Sequence, residues 1–479
     1  MKEIKGKNVT VVGLARSGAG AANLLAGLGA QVTVTDLKAE DGLRPFLSGL
    51  APGVKRIFGA HPDQLFSSAD MIVISPGVPL SIKPLELARS RSIPIISELE
   101  LAYQAAVVGF EDRPFTTLAK EGFLAVTGTN GKSTTTALLD FMMKKGGFTT
   151  ILGGNIGNAL TEEIYKLTAE NKGRTADWIV AEISSFQLEA IQDFRPKGAA
   201  ILNVTPDHLD RYHSMEEYGA AKARIFENQS GNDFLVLNRD DPEAVKLYSS
   251  KCEGRDIKLP RVYFFSRRQE VEGLYLRDGK ICCDIPALSD IPRHSALIAA
   301  EDIRIKGIHN LENAMAASAM ALLAGCPAEA VIDSLRQFEG LEHRLEPVRE
   351  LDGVRYINDS KGTNVGAVLK SLESFSEPVI LIAGGRDKAG EFSLLKDIVK
   401  ERVKALVLIG EASEKIKKAL VDVSKPVMAK SLKEAVEVSR QLAQKGDVVL
   451  LSPACASFDM FTDFEDRGRQ FKKIVMELD

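Results

Sequence analysis

Cysteine is scarce in this chain, and the few cysteines present follow no pattern typical of disulfide or zinc proteins. The 479 residues contain an odd number of them, at Cys252, Cys282, Cys283, Cys326 and Cys455. No pair has the CxxC spacing of common zinc sites. We therefore expect free thiols in a reducing compartment rather than a disulfide framework.

Long apolar runs and an excess of one charge are also missing. No stretch approaches the roughly 20 apolar residues that a membrane span needs. The first apolar run, residues 9–15, ends at Arg16 and is too short for a signal peptide. The 61 basic and 65 acidic residues give a net charge of −4, so there is no general attraction to nucleic acid. We expect a cytoplasmic protein without membrane or nucleic-acid partners.

Apolar and charged residues occur in the proportions of a globular protein, 45% and 26% respectively. The length suggests about three domains. Alternating strand-like and helix-like segments predict an α/β fold with domains at 1–110, 111–340 and 341–479, the first and last of them Rossmann-like. The polar segment 110–122 marks the first boundary. Short β-like runs over 231–305 predict extra, peripheral antiparallel strands in the central domain and contain no candidate site.

The stretch LAVTGTNGKSTTT, residues 124–136, has the layout of a nucleotide phosphate loop. An apolar strand runs into glycines, and a helix begins at Lys132 and Ser133. In such loops backbone N–H groups face phosphate, the lysine meets the β- and γ-phosphates, and the hydroxyl binds Mg²⁺. Val126 stands where the general pattern has its first glycine, so the loop is a variant. The alternative is an ordinary strand–turn–helix corner, but the order of features favours a P-loop that binds a nucleoside triphosphate in a central α/β domain.

The first segment carries an incomplete dinucleotide-binding fingerprint. Gly13, Ala15 and Gly18 follow a buried strand, and Asp36 ends the next one. Because Ala15 replaces the glycine that lets backbone approach a pyrophosphate, three interpretations stay open: a nicotinamide cofactor, another nucleotide or nucleotide-sugar, or helix–strand packing alone. Ser75 lies at the carboxyl end of a further strand, where it is either a ligand contact or a turn residue.

Four polar residues of the central segment are candidates for a site. Glu182 ends a strand beside the phosphate loop, which suits Mg²⁺ or a helix-start acid. Asn155 lies between glycines, where it contacts a ligand or makes a turn. His208 lies among acids after the next strand, which is a weak metal signal by itself. Lys222 lies on an alanine-rich helical stripe, and such lysines are usually on a solvated face.

Two further groups of polar residues come later in the chain. Asn310 and Asn313 share a face at the start of a helix, as caps or as contacts to a base or ribose. In the last segment, loops 358–364, 386–388 and 452–467 follow predicted parallel strands. Their lysine, threonine, serine and arginine side chains would converge at one sheet edge and suit a small carboxylate ligand, although each alone could be surface charge.

Nine strings in order along the chain resemble the Mur ligases, the ATP-dependent amino-acid-adding enzymes of peptidoglycan synthesis. They are AVTGTNGKSTT, GNIG, EISSFQLE, NVTPDHLDRY, YGAAKARIFE, HNLENA, EHRLE, NDSKGTN and LSPACASFDMFTDFEDRG. The last string and ISELELA are similar to the branch that adds D-glutamate to UDP-N-acetylmuramoyl-L-alanine. The resemblance covers nearly the whole chain and implies the same three-domain fold.

The resemblance also implies roles for individual residues. The implied catalytic residues are Lys132, Glu182, His208 and Lys222. The implied ATP contacts are Gly128, Thr129, Asn130, Gly131, Lys132, Ser133, Thr134, Asn310, Arg344 and Asp359. The implied substrate contacts are Asp36, Ser75, Asn155, His343, Lys361, Thr363, Ser457 and Phe464, of which the last four match the D-glutamate pocket. Two Mg²⁺ ions are implied on Ser133, Glu182, His208 and Lys222, with Lys222 carrying a carbamate derived from CO₂.

The implied reaction transfers the γ-phosphoryl group of ATP to the carboxylate of UDP-N-acetylmuramoyl-L-alanine, and the amine of D-glutamate attacks the acyl phosphate. A monomer is expected, with domain closure excluding water. One position departs from the family pattern, since Arg386 stands where we expect an acid. The rival interpretations are a nicotinamide dehydrogenase, a P-loop switch or binding module, and a folate polyglutamate ligase, which would lack SPACASFDMF.

Overall fold

Three sheets follow one another along the chain in a computed structural model that describes residues 3–109, 118–169, 175–209, 211–252, 259–387 and 390–479. The first sheet has five parallel strands in the order β3-β2-β1-β4-β5. Its strands are β1 (Asn8–Val12), β2 (Gln31–Asp36), β3 (Lys55–Phe58), β4 (Met71–Ile74) and β5 (Ile95–Ser97). Its helices are α1 (Arg16–Gly27), α2 (Arg44–Leu47), α3 (Asp63–Ser68), α4 (Lys83–Ser90) and α5 (Glu98–Tyr103).

The second sheet has nine strands in the order β14-β13-β12-β11-β10-β9-β6-β8-β7. Its strands are β6 (Ala119–Thr127), β7 (Thr150–Gly154), β8 (Ala176–Glu182), β9 (Gly198–Ile201), β10 (Phe234–Asn238), β11 (Arg261–Ser266), β12 (Gly273–Arg277), β13 (Lys280–Asp284) and β14 (Ser295–Ala299). Its helices are α6 (Lys132–Lys145), α7 (Leu160–Ala169), α8 (Ser185–Leu188), α9 (Met215–Ala223), α10 (Pro242–Cys252), α11 (Ile308–Leu323) and α12 (Ala328–Gln337).

The third sheet has six strands in the order β15-β16-β20-β17-β18-β19, parallel except for the β15–β16 pair. Its strands are β15 (Glu346–Leu351), β16 (Val354–Asn358), β17 (Val379–Gly384), β18 (Val403–Ile409), β19 (Val427–Met428) and β20 (Val448–Leu451). Its helices are α13 (Val365–Leu372), α14 (Lys396–Arg402), α15 (Ser413–Leu420), α16 (Leu432–Leu442) and α17 (Phe464–Met476).

The central strands are apolar along their whole length because helices cover both faces of each sheet. All six residues of β17 are buried, as are all four of β4 and of β20. Continuous apolar runs of this kind are typical of parallel sheets in α/β proteins. The predicted fold class, with a Rossmann-like sheet at each end of the chain, is confirmed.

The prediction for 231–305 is wrong in part. β10 and β11 pair in parallel with each other, and β10 continues the parallel sheet beside β9. Only β12, β13 and β14 form the antiparallel extension among the described residues. Each of the two misassigned strands is a short apolar run, and such runs do not reveal the direction of their pairing.

The first two sheets share one apolar core, whereas the third sheet has separate cores. A single cluster of buried side chains runs from Val11 on β1 and Leu25 on α1 to Phe123 and Ile179 on the second sheet. Two other clusters cover the faces of the third sheet. The predicted boundary at 110/111 lies outside the described residues, and we retain the boundaries near 110 and 340 as a proposal.

Two further sequence expectations concern thiols and membranes. The four cysteines that the structure describes, Cys282, Cys283, Cys326 and Cys455, are unbridged and buried. In the described part of the chain no helix has the length and apolarity needed to cross a membrane.

A buried carboxylate joins the first two sheets. Glu100 is fully buried, and its carboxylate accepts the backbone N–H groups of residues 192–194 at 2.9 to 3.1 Å. We expect Glu100→Ala to lower the free energy of unfolding by about 3 kcal/mol, because three buried donors lose their charged acceptor. Denaturant unfolding followed by the fluorescence of Trp178, the single tryptophan, measures this change.

The control for this experiment is Glu86→Ala, which removes an exposed carboxylate from α4 in the same part of the chain. Equal losses of stability in Glu100→Ala and Glu86→Ala would contradict the assignment of Glu100 as the joint between the two sheets.

A histidine links the second and third sheets. The Nδ1 atom of His309, at the start of α11, lies 3.1 Å from the hydroxyl of Ser374. Burial at this contact, with the charges of Arg344 and Lys370, lowers the pKa of His309 from 6.5 to about 4. As the pH falls, the imidazole therefore takes up a proton in the unfolded chain before it does so in the folded protein. The stability contributed by the neutral imidazole is present above about pH 6.5 and is lost as the pH falls towards 4.

We expect the wild type to lose more stability than His309→Gln between about pH 7 and pH 5, measured by denaturant unfolding at each pH. His213→Gln, which changes an exposed histidine, is the control. A free energy of unfolding that falls equally with pH in the wild type and in His309→Gln would contradict the assignment of this pH dependence to His309.

Candidate functional site

The predicted phosphate loop forms between β6 and α6. Gly131 begins the helix with φ of 84°, and a Cβ there would lie 2.3 Å from Oδ1 of Asn313, so only glycine fits. Asn203, which follows β9, holds the loop through two hydrogen bonds. Its side chain accepts from the N–H of Asn130 at 2.8 Å and donates to the carbonyl of Asn130 at 3.1 Å. The loop is therefore held open with the helix N-terminus exposed to an anion.

Lys132 lies across the mouth of this loop. Its Nζ donates to the carbonyl oxygens of Gly128 at 2.9 Å and Thr129 at 2.8 Å. The ammonium group and the N–H groups of the helix start face the same space. Both favour a phosphate there.

The two asparagines of α11 do not cap that helix. Asn313 accepts from the hydroxyl of Thr135 at 3.2 Å and donates to Asn310 at 3.2 Å. Asn310 in turn donates to the carbonyl of Lys306. The pair therefore connects α6 to the open side of the site, which leaves a base or ribose contact as the interpretation for Asn310.

Glu182 lies at the end of β8, next to β6, and is 1% exposed. Asn155 donates its amide to Oε1 of Glu182 at 2.5 Å, and the backbone N–H of Asn155 bonds to the carbonyl of Glu182 at 2.8 Å. The other carboxylate oxygen, Oε2, is buried and has no hydrogen-bond partner among the described residues. An unpartnered buried anion beside a phosphate loop suits a cation.

Lys222 is 1% exposed, so the expectation of a solvated face is wrong. Its Nζ donates to the carbonyl of Gly128 at 2.8 Å and lies 4.4 Å from the centre of the Tyr218 ring. Burial, and then the charge of Lys132, lower the pKa of Lys222 well below the ordinary value. The lysine lies directly beneath the phosphate loop.

His208 occupies a turn after β9 with φ of 54°, an unusual conformation for a residue other than glycine. Its ring packs edge-to-face on Phe186, with 4.8 Å between ring centres, and its Nε2 lies 3.8 Å from Asp207. Asp207 also accepts from Asn364 of the third sheet at 3.2 Å. The neighbouring Asp210 lies outside the described residues.

Arg344 and Asp359 bring the third sheet against the phosphate loop. Nη2 of Arg344 lies 3.3 Å from the hydroxyl of Ser133. Asp359 accepts from the hydroxyls of Ser452 at 2.6 Å and Ser371 at 2.7 Å. Burial raises the pKa of Asp359 and lowers that of Arg344.

Lys361 and Phe464 form a second cationic corner at the carboxyl edge of the third sheet. Nζ of Lys361 lies 3.7 Å from the centre of the Phe464 ring, and burial with the charge of Arg344 lowers the pKa of Lys361 to about 8. Ser457 is 2% exposed in the neighbouring loop. Buried Arg467 ties these loops together through Ser360, and sequence reasoning did not single it out.

The structure describes both His343, a predicted substrate contact, and Arg386, the position that departs from the family pattern. His343 is 2% exposed with φ of 65°, and its Nδ1 accepts from Asn358 at 2.8 Å. Arg386 forms an ion pair with Glu411 at 3.0 Å, and both side chains are about half exposed, so its guanidinium is engaged at the surface. Lys388 of the same loop lies outside the described residues.

Asp36 and Ser75 lie together at the carboxyl edge of the first sheet. Asp36 accepts from the backbone N–H of Leu14 at 2.7 Å, and the hydroxyl of Ser75 donates to the carbonyl of Gly13 at 2.8 Å. Both therefore shape the fingerprint loop. Arg16 from this loop reaches the carbonyl of Gly157 in the loop that carries Asn155, at 3.3 Å.

A cavity of about 420 Å³ lies between the second and third sheets. The predicted residues that line it are Thr129, Asn130, Gly131, Lys132, Ser133, Thr134, Asn155, Glu182, His208, Asn310, Arg344, Asp359, Lys361 and Thr363. The other predicted residues do not line it, namely Asp36, Ser75, Gly128, Lys222, His343, Ser457 and Phe464. Two loops missed by the sequence reasoning also line it, after β10 (Asp240, Asp241) and after β11 (Arg267, Arg268). Recognising β10 and β11 as parallel strands would have pointed to their carboxyl ends.

Comparison with known proteins gives matches along the whole chain. The family model described as the Mur ligase middle domain matches residues 126–321. The model described as the Mur ligase, glutamate ligase domain matches residues 343–455. The model described as the Mur ligase MurD-like, N-terminal domain matches residues 7–97.

Two curated relatives share nearly half of their residues with this chain, and both are named UDP-N-acetylmuramoylalanine–D-glutamate ligase. The protein from Geotalea uraniireducens is 46% identical over 479 residues, covering 100% of this chain and 99% of its own. The protein from Pelotomaculum thermopropionicum is 43% identical and covers the same shares.

Solved structures agree on the fold at lower identity. The MurF ligase of Thermotoga maritima in complex with ADP is 16% identical with a TM-score of 0.60, covering 100% of both chains. The UDP-N-acetylmuramate–alanine ligase MurC of the same organism is 18% identical with a TM-score of 0.59, covering 98% of this chain and 99% of its own. With three family models matched in order and relatives at up to 46% identity over the full length, the chain belongs to the Mur ligase family.

Proposed function

We propose that this protein is an ATP-dependent ligase that joins D-glutamate to UDP-N-acetylmuramoyl-L-alanine in peptidoglycan precursor synthesis. Full-length relatives that carry this name support it. The structural observation that carries it is the single cavity shared by the phosphate loop and by Lys361 and Thr363 of the third sheet. A site of that composition brings a triphosphate and an amino-acid carboxylate to the same space.

The chain's own cations align and neutralise the reacting groups. Phosphoryl transfer depends mainly on alignment and charge neutralisation. Lys132 and the N-terminus of α6 face the triphosphate, while Arg344 reaches the same point from the third sheet. Since donors fixed before the reaction cost little reorganisation, this arrangement stabilises the charge that develops on the γ-phosphoryl group.

The residues present fit the two Mg²⁺ ions that the family implies. Buried Oε2 of Glu182 has no partner among the described residues, and Ser133 lies in the same cavity. These two would hold one ion with the phosphates, and His208 and Lys222 would hold the other. The ions would screen the repulsion between the acceptor carboxylate and the γ-phosphate.

The surroundings of Lys222 fit a carbamate. A lysine amine must be neutral to add to CO₂. Burial beneath the loop lowers the pKa of Lys222, which favours the neutral amine. The carbamate nitrogen keeps one hydrogen, so the bond from Nζ to the carbonyl of Gly128 can persist. The modification would turn a buried cation into an anion suited to a metal ion.

D-Glutamate would enter at the edge of the third sheet. Lys361, Thr363, Ser457 and Phe464 are the proposed contacts, and the ammonium of Lys361 suits a carboxylate. The nucleotide-sugar would bind at the first sheet, where Asp36 and Ser75 lie together, with Asn155 and His343 as the remaining proposed contacts. A monomer and a cytoplasmic location stay predictions.

The proposed function predicts phosphate release that depends on both organic substrates. With ATP, Mg²⁺ and UDP-N-acetylmuramoyl-L-alanine, addition of D-glutamate should start stoichiometric release of phosphate and formation of an amide product, measured by coupled assay and mass spectrometry. L-Glutamate and D-aspartate are the matched controls. Phosphate release at the same rate without D-glutamate would overturn the proposal, as would equal use of L-glutamate.

The proposed carbamate predicts a dependence on CO₂. Lys222→Ala should lower turnover by about 100-fold, because a ligand that orients the metal is lost. Carbon-13 NMR of the wild type in labelled bicarbonate should show a carbamate signal that Lys222→Ala lacks. Lys246→Ala, which removes an exposed lysine of the same domain, is the control. Full wild-type activity in bicarbonate-free buffer, with no carbamate signal, would contradict this role.

A further inference from the structure

The turn after β9 directs two polar side chains, His208 and Arg211, in different directions. The carbonyl of His208 accepts the backbone N–H groups of Arg211 at 3.0 Å and Tyr212 at 3.1 Å, which closes the turn. His208 faces the cavity between the second and third sheets. Arg211 instead reaches the first sheet, so one short segment contacts both the phosphoryl-transfer site and the nucleotide-sugar domain.

Arg211 holds the loop that follows β4. Its Nη1 donates to the carbonyl of Pro76 at 3.0 Å, and its Nη2 donates to the carbonyl of Val78 at 3.3 Å. The same loop begins with Ser75, whose hydroxyl donates to the carbonyl of Gly13. The guanidinium therefore donates hydrogen bonds to the backbone of the loop that carries Ser75, the proposed nucleotide-sugar contact.

A carboxylate fixes the guanidinium from the other side. Nε and Nη2 of Arg211 donate to Glu189, at 3.1 Å and 2.5 Å, and Tyr212 donates its hydroxyl to the same carboxylate at 2.7 Å. Arg211 is 17% exposed and Glu189 13%, so solvent screens this pair weakly. A bidentate pair of this kind fixes the orientation of the guanidinium as well as its distance from the carboxylate.

An aromatic ring joins this pair to the candidate metal residues. The guanidinium carbon of Arg211 lies 4.2 Å from the centre of the Phe186 ring, and the ring of His208 packs on the same phenyl group. Phe186 and Glu189 lie on and directly after α8, which follows the strand that ends in Glu182. The contacts of Arg211 thus include the segments that carry two of the proposed metal-binding side chains, Glu182 and His208.

We propose that Arg211 is a positioning residue that sets the distance between the nucleotide-sugar loop and the phosphoryl-transfer site. This inference rests on the proposed function, because the acceptor carboxylate is carried at the far end of the nucleotide-sugar. A displaced loop leaves ATP binding intact but moves that carboxylate away from the γ-phosphate. Misplacement by about 1 Å is enough to cost about 100-fold in rate.

Lysine cannot replace this arginine fully. The residue contacts two carbonyls and one carboxylate in different directions and also stacks on a ring. A planar guanidinium offers five donors in a fixed fork, whereas an ammonium is a compact point charge. Arg211→Lys should therefore keep part of the function, and Arg211→Met, which keeps the aliphatic stem, should lose most of it.

The test compares steady-state kinetics of the full-length variants for each of the three substrates. Arg195→Met is the matched control, since Arg195 donates to Asp233 at 2.7 Å and Ser230 at 2.6 Å, both inside the central domain. Thermal unfolding of each variant checks that it is folded at the assay temperature. The wild type in the same assay tests the proposed function separately.

We expect Arg211→Met to lower kcat/KM for UDP-N-acetylmuramoyl-L-alanine about 100-fold, with the KM for ATP within about twofold of wild type. Arg211→Lys should lose about tenfold, and Arg195→Met should stay within about twofold for every substrate. An Arg211→Met variant that raises the KM for ATP as much as the KM for the nucleotide-sugar, or that is no worse than Arg195→Met, would overturn the positioning role alone, given an active wild type. A wild type that does not require D-glutamate would overturn the proposed function instead.

Discussion

Cationic side chains crowd the start of α6, and their mutual repulsion is the constraint on which the site depends. Lys132 and Lys222 lie above and below the phosphate loop, while Arg344 and Lys361 approach from the third sheet. Burial lowers the pKa values of Lys222 and Lys361, and the neighbouring charges of Lys132 and Arg344 lower them further. Phosphates, carboxylates and a carbamate would supply the negative charge that balances them. The site is thus organised for anions before any anion binds.

The cores determine which parts of the site hold a constant geometry. The first two sheets share one apolar cluster and are joined by Glu100, so the loop that carries Ser75, the proposed nucleotide-sugar contact, and the phosphate loop belong to one packed unit. The third sheet has its own cores and meets this unit through polar contacts, including Arg344 to Ser133 and Asn364 to Asp207. Polar contacts exchange readily with water or ligand, whereas an apolar core does not. Adaptation to ligands is therefore expected at the third sheet.

Local patterns were enough to predict the fold class and the phosphate loop, because both depend on short-range order. The loop residues, Glu182 and Lys361 lie where the order of strand, turn and helix placed them. The burial of Lys222 and the parallel pairing of β10 were not predictable in this way. An alanine stripe fits a solvated face as well as a packed one, and an apolar run does not reveal its neighbour. Both properties depend on contacts between segments far apart in the chain.

Several groups that the sequence marks as ligand contacts have internal partners here. Lys132 bonds to the carbonyl of Gly128, Arg344 to the hydroxyl of Ser133, and Asp36 to the backbone N–H of Leu14. A buried or half-buried polar group without any partner would cost free energy, and these internal hydrogen bonds offset that cost. A sequence motif can therefore nominate groups as ligand contacts, but the internal partners of those groups follow only from the packed structure.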